Sequence, residues 1–271
     1  VAAMASFAMA SFTLAAVAVV RSSVQRRRVL FVTSRRSCRT SCWEALAIEA
    51  QRAIIDLRVD ASVAERATAG LASAAQIAAA SPAWPAERGR GLFYVFEGLD
   101  RSGKTTHSRN LAEHIGKSGA VRWLCFPERS SAIGSLIELY LRRQVELPDR
   151  VIHTLFSANR WELASSMVAD LNRGISLVCD RYAFSGAAYS AAKGLDLAWC
   201  QDPDRGLPAP DGVLFLDVAA HEAASREDYG TTRYENLDLQ SKVRITFQHQ
   251  GLRTGLSWLD FDSSRDVETN R

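Results

Sequence analysis

Cysteine is scarce in this chain of 271 residues: five thiols, at positions 38, 42, 125, 179 and 200, an odd number with no C-x-x-C spacing among them. That pattern argues against a disulfide framework and against a thiolate zinc site, and it fits a reducing compartment. Acid is missing from residues 1 to 43, the first carboxylate of the chain being Glu44. Lysine is missing from residues 1 to 90, which hold twelve arginines and six acids. The net charge of +3 therefore comes from that segment, and the remainder carries a slight negative surplus. No nucleic-acid-binding face is expected on the globular part.

The leading segment reads as an address. Val1 to Val20 carries no charge, repeats the unit Ala-Met-Ala-Ser-Phe, and is followed by Arg21 and by Arg26-Arg27-Arg28. An apolar stretch followed by an arginine- and serine-rich stretch resembles a signal sequence joined to an organellar transit peptide, which would send the protein to a mitochondrion or plastid. The charge lies on the wrong side for a standard signal peptide. About 20 apolar residues would also serve as a membrane anchor, and a translated upstream region, with a cytoplasmic protein behind it, is the third reading. Residues 44 to 83 are alanine-rich, with helical spacing around Leu46 to Leu57. Ser81-Pro82-Ala83-Trp84-Pro85 then ends any helix and marks a linker. Residues 1–90 are accordingly read as a non-globular N-terminal extension and residues 91–271 as the folded domain.

From Gly91 onward strand and helix patterns alternate. Leu92 to Phe96 reads as a strand, Thr105 to Lys117 as a helix, Val121 to Phe126 as a strand, and Asp149 to Asn172 as a long helix opening after Pro148 and closed by Gly174. Ile175 to Cys179 and Val213 to Leu216 are short, almost wholly apolar runs, as parallel strands covered on both faces require. The expectation is an α/β domain, a parallel sheet flanked by helices, with ligands at the carboxyl ends of the strands.

Between the first strand and the first helix lies Gly98-Leu99-Asp100-Arg101-Ser102-Gly103-Lys104-Thr105, a match to G-x-x-x-x-G-K-[ST]. Glycines let such a loop curl so that successive backbone N–H groups face phosphate oxygens, a helix N-terminus stands behind them, and the lysine bridges the terminal phosphates. A nucleoside triphosphate is the ligand that this loop requires. Phe126-Pro127-Glu128-Arg129 and Asp180-Arg181-Tyr182 each place an arginine at a strand's carboxyl end, where a guanidinium can hold a second phosphate. Taken alone, either arginine could equally be an ion-pair residue with Glu128 or Asp180. Asp180 closes its strand at the place from which P-loop enzymes hold Mg²⁺.

These clusters, with Leu155-Phe156-Ser157-Ala158-Asn159-Arg160-Trp161-Glu162, Ala183-Phe184-Ser185-Gly186 and Arg233-Tyr234-Glu235-Asn236, occur in an order and spacing that resemble the eukaryotic thymidylate kinases from about Gly91 to about Ser264. The resemblance implies a three-layer P-loop fold, transfer of phosphate from ATP to dTMP in dTTP biosynthesis, Mg²⁺ as the companion ion, and commonly a homodimer. It implies that Gly98, Arg101, Ser102, Gly103, Lys104, Thr105 and Thr106 hold ATP, with Arg226 against adenine and Thr105 and Asp180 toward the metal. Asp100 would contact the acceptor sugar, and Arg129 and Arg181 would grip the dTMP phosphate. Phe156 would stack on thymine and Arg160 would bond a thymine oxygen, while Phe126, Gly186, Tyr189 and Gln240 would complete the acceptor pocket. Arg101, Lys104, Asp180 and Arg181 would be the catalytic set.

Without the family, Phe156 would be read as core; Arg160 lies four residues on and shares its helical face. Arg101 stands out, because the segment Ala219 to Thr232, the candidate lid, holds only Arg226, so the charge needed between the β- and γ-phosphates comes from the loop itself. The chain departs from the family at its end, where the expected terminal helix is short or missing and apolar surface would be uncovered. A kinase of dUMP or UMP, or a nucleotide-binding protein without turnover, are the alternative readings.

Overall fold

The structure, a computed structural model, describes residues 38–55, 61–80, 89–226, 229–253 and 255–264. At its centre are five parallel strands, β1 (Phe93–Gly98), β2 (Val121–Cys125), β3 (Ser176–Asp180), β4 (Gly212–Asp217) and β5 (Trp258–Asp262), in the order β2-β3-β1-β4-β5. The connecting helices are α3 (Lys104–Gly116), α4 (Ala132–Leu141), α5 (Asp149–Asn172), α6 (Ala183–Ala192), α7 (Leu197–Gln201), α8 (Ala220–Ala224), α9 (Leu237–Gln248) and α10 (Gln250–Arg253). Two further helices, α1 (Cys38–Ile55) and α2 (Ala61–Ala80), precede the sheet.

Central strands buried on both faces read as continuous apolar runs, so β1, β3 and β4 fall within two residues of their predicted bounds. The edge strand β5 escapes that rule. Its Leu259, Asp260 and Asp262 are exposed and Trp258 and Phe261 only half-buried, and such a five-residue run carries little apolar signal. Helix α5 spans the predicted residues, with Asp149 in its first turn favouring the dipole and Gly174, at φ +80, just past its end. Register sets the site: Phe96 and Cys125 both lie opposite Asp180, and Gly98 lies opposite Leu216. The carboxyl ends of β1, β2 and β3 therefore meet at one edge.

Within residues 1–90, read from sequence as a non-globular extension, helices α1 and α2 instead pack on the domain. Leu46, Ala47, Ala50 and Ile54 of α1 and Ala67, Leu71 and Ala74 of α2 are buried at helical spacing, and most of them belong to the main hydrophobic core. Helix α2 packs on α4 and α5, and α1 packs on α2 and α5. Local composition showed a helix there but not its partner, because a docking face is defined only by the surface that covers it. The targeting and anchor readings of residues 1–37 lie outside the described residues, as does the Ser81 to Pro85 break. Among the described residues no helix is long and apolar enough to cross a membrane. On the α3 side of the sheet, Phe96, Leu111, Leu214, Leu216 and Phe261 line an open groove of about 570 Å³; residues 265–271 lie outside the described set.

Candidate active site

The strand ends open into a cleft of about 1770 Å³. A single drug-sized ligand needs ~300–1,000 Å³, so the cleft has room for two. Its floor is the loop after β1. Gly98 has φ +146, and a Cβ there would lie 2.5 Å from the Leu216 carbonyl oxygen, so the loop leaves the sheet at a point only glycine fits. Arg101 and Gly103 take left-handed φ values of 62 and 88, and Gly103 starts α3. Lys104 is almost wholly buried, its Nζ donating back to the Leu99 carbonyl and, at 3.3 Å, to Ser102 Oγ. Burial, with Arg181 nearby, pushes its ammonium down to about 8 against the pull of Asp180 and Asp100. Bound phosphate oxygens would supply the anionic partner that this buried cation needs.

Beside the loop, Thr105 Oγ1 donates to Asp180 Oδ2 at 2.5 Å, while Asp180 Oδ1 is buried without a partner. An orphaned carboxylate oxygen next to a P-loop hydroxyl suits a hard divalent cation. Thr106 lies beside Thr105, exposed on the cleft.

Arg181 enters from the end of β3 with φ 66. Its Nη2 donates to Asp100 Oδ1 at 2.5 Å, and its Nη1 donates to the Gly98 carbonyl at 3.1 Å and to Ser185 Oγ at 3.0 Å. Burial alone would raise the Asp100 carboxyl, but the charges of Arg181 and Lys104 and the Gln240 amide hold it below its ordinary value. Arg129 pairs with Glu138 Oε2 at 3.1 Å and is well exposed on the cleft. The simple pairings of these arginines with Glu128 and Asp180 are thus corrected. Glu128 turns to accept from Ser130 N and Oγ, and Asp180 is engaged by Thr105.

A second wall comes from α5, α6 and the segment before α9. Arg160 donates from Nε and Nη2 to Asp204 at 3.1 and 2.7 Å. A Cβ on Gly186 would lie 2.7 Å from Arg160 Nη2, so the bare helix backbone is what admits that guanidinium. Phe156, Tyr189 and Tyr234 form an aromatic group, with ring centroids 6.4 and 5.4 Å from Tyr234. Phe126 is buried against Tyr182 at 5.7 Å and lines the cleft floor. Gln240 is placed differently from expectation. It is fully buried behind Asp100, its Nε2 donating to Asp100 Oδ2 at 2.7 Å and to the Tyr234 carbonyl at 2.9 Å, and it braces Asp100 instead of lining the cleft.

Arg101 Nε donates to Glu235 Oε1 at 3.1 Å, and Glu235 Oε2 accepts from Gly230 N and Thr232 N, both at 3.0 Å. Arg226 donates to the carbonyls of Arg101 and Ser263 at 2.5 and 2.6 Å, tying the loop to the end of β5.

Four functional residues were not singled out from sequence. Glu97 is fully buried and accepts from Tyr182 N, Ser185 N and Ser185 Oγ, which sets the start of α6; burial raises its carboxyl against those donors and Arg181. A carboxylate inside an apolar strand was the available signal. Tyr234 and Glu235 lay within a quoted motif without roles. Asp204 had no signal, because its partner is 44 residues away.

This loop, with a cation-ready carboxylate and a second arginine-lined subsite in one cleft, defines a P-loop kinase of nucleoside monophosphates. Residues 96–270 match the family model for thymidylate kinase. The thymidylate kinase of Schizosaccharomyces pombe is 46% identical over 67% of this chain and 89% of its own length. The human thymidylate kinase is 44% identical over 66% and 85%. A solved thymidylate kinase structure from Candida albicans has a TM-score of 0.59 and 35% identity, covering 67% of this chain and 89% of that one. The chain belongs to the thymidylate kinase family. It is a dTMP kinase, and none of these relatives supports a UMP kinase or a binder without turnover.

Proposed function

We propose that the cleft carries out ATP-dependent phosphorylation of dTMP to dTDP, a step in dTTP biosynthesis, with the donor on the Gly98–Thr106 loop and the acceptor between Arg129, Arg181 and the Phe156–Tyr189–Tyr234 wall. The observation that carries this reading is the Arg181–Asp100 pair, 2.5 Å long, which sits on the loop itself beside Lys104. It supports an acceptor phosphate held within reach of the donor's terminal phosphate. Thr105 and Asp180 would hold Mg²⁺, which when bound neutralises charge between the donor phosphates. Lys104 and Arg101 hold the phosphate oxygens, and Asp100 orients the acceptor sugar. Arg181 and Arg129 fix the acceptor phosphate, and Arg160 and Phe156 read the base. Catalysis is positioning and electrostatics, with no covalent intermediate.

The test is ADP release by the full chain with dTMP, dUMP and UMP, with and without a chelator. Rapid turnover with dTMP, loss on chelation and weak turnover with UMP are expected. UMP turned over as fast as dTMP would refute the pocket assignment. Phe156→Ala should raise KM for dTMP by the equivalent of ~1–3 kcal/mol of stacking while leaving KM for ATP unchanged.

Two further parts of the proposal rest on the sequence. The acid-free segment before Glu44 supports delivery to a mitochondrion or plastid. A fluorescent protein fused behind residues 1–37 should then move to an organelle, and diffuse fluorescence would rule that out. A homodimer follows from the family resemblance, and light scattering of the purified chain should give twice 29.8 kDa.

A further inference from the structure

The acceptor side is built on a chain of buried contacts that begins in α2. Asn159, fully buried on α5, grips Glu128 from both sides: Glu128 N donates to its Oδ1 at 2.7 Å, and its Nδ2 donates to the Glu128 carbonyl at 3.0 Å. That clamp fixes the residue preceding Arg129. Asn159 Nδ2 also donates to Glu162 Oε2 at 3.0 Å, and Ser131 Oγ, which caps α4, donates to the same oxygen at 2.7 Å. The α4 backbone closes on the loop as well, since a Cβ on Gly134 would lie 1.8 Å from the Glu128 carbonyl oxygen. Glu162 and Ile133 are the back of this assembly, and α2 covers them. A Cβ on Gly70 would lie 3.0 Å from Ile133 Cγ1 and 3.2 Å from Glu162 Oε1. Ala67, Leu71 and Ala74, all fully buried, hold the helix at that distance.

Close-packed interiors transmit displacement. Pushing α2 outward, or pushing Ile133 and Glu162 inward, moves the clamp that sets Arg129. We infer that helix α2 is a positioning element for the acceptor phosphate: Gly70, seated on Ile133 and Glu162, sets the Glu162–Asn159–Glu128 clamp and thereby the Arg129 loop. The inference rests on the reading of Arg129 as a ligand of the dTMP phosphate. The donor loop lies on β1 and α3, outside this chain of contacts, so the effect falls on dTMP and not on ATP.

The test uses the full chain. Gly70→Leu forces a branched side chain against Ile133, Gly70→Ala adds one methyl, and Ala69→Leu, on the exposed side of α2, controls for bulk. A misplacement of ~1 Å costs up to ~100-fold in such sites. KM for dTMP is expected to rise roughly tenfold in Gly70→Leu, less in Gly70→Ala and not in Ala69→Leu, with KM for ATP within about twofold throughout. An unchanged KM for dTMP in folded Gly70→Leu overturns the inference. Should that variant not fold, hydrogen exchange on the wild type reads the same coupling. By reciprocity, a ligand whose affinity depends on α2 docking also tightens that docking. Saturating dTMP should slow amide exchange in residues 61–80 while ATP alone should not, and equal exchange with and without dTMP overturns the inference. Arg129→Ala separates the two claims. If it leaves KM for dTMP unchanged, the reading of Arg129 fails and the inference with it; if it raises KM while Gly70→Leu and hydrogen exchange show nothing, only the role of α2 is lost.

Discussion

Arg160 and Asp204 form a two-bond ion pair, at 3.1 and 2.7 Å, with both side chains nearly excluded from solvent. Ser157 Oγ donates to the same carboxylate at 2.6 Å. The pair fixes where the guanidinium stands beside Gly186 and how much of its hydrogen-bonding capacity remains. An arginine without that partner would be free to swing out of the cleft wall.

Asp204→Ala leaves a buried, uncompensated guanidinium. Unfolding by urea should show a loss of about 3–5 kcal/mol, and KM for dTMP should rise while KM for ATP stays near its wild-type value. Equal stability of the variant would mean that solvent reaches Arg160 in solution.

Arg101→Gly removes the guanidinium from the loop and leaves Lys104 as its cation. Because the guanidinium acts mainly as the bond between donor phosphates breaks, kcat should fall by at least ~100-fold with a much smaller change in nucleotide affinity. Steady-state kinetics beside ATP titration separates the two, and an unchanged kcat rejects the role.

His153 is buried between Ser190 Oγ, at 2.8 Å, and the Cys200 carbonyl, at 2.9 Å. The carbonyl can only accept, so Nε2 carries the proton and Nδ1 accepts from Ser190. Burial lowers the imidazole from its ordinary 6.5 to about 4. The unfolded chain therefore takes up a proton in that window that the native chain refuses. The stability is fully present above about 6.5 and is lost as pH falls toward 4, by up to ~3 kcal/mol. Denaturation at pH 7 and pH 5 should show the loss, and His153→Gln should flatten it.

Leu71→Ala tests whether the N-terminal helices belong to the fold. Leu71 is fully buried in the main core, so truncation should cost about 2–5 kcal/mol. A change below ~0.5 kcal/mol, the range of surface substitutions, would restore the reading of a non-globular extension.

The phosphate loop was legible from sequence because its residues are local: one glycine-rich loop holds Gly98, Arg101, Lys104 and Thr105 within a few positions, and backbone geometry alone dictates that spacing. The strand-end motifs were legible for a similar reason, since apolar runs mark the strands and the cleft-lining residues follow them. Asp204 beneath Arg160, Gln240 behind Asp100 and Glu235 on Arg101 were not, because each contact joins segments 44 to 140 residues apart. Periodicity in α1 likewise marked an apolar face without saying what covers it. Sequence by itself determined the central strands, the long helix α5, the parallel sheet and the phosphate loop, all set by short-range sterics and burial pattern. Tertiary structure alone decided which buried charges pair and where α2 docks, because desolvated charges and apolar faces are satisfied by whatever the fold brings within contact distance.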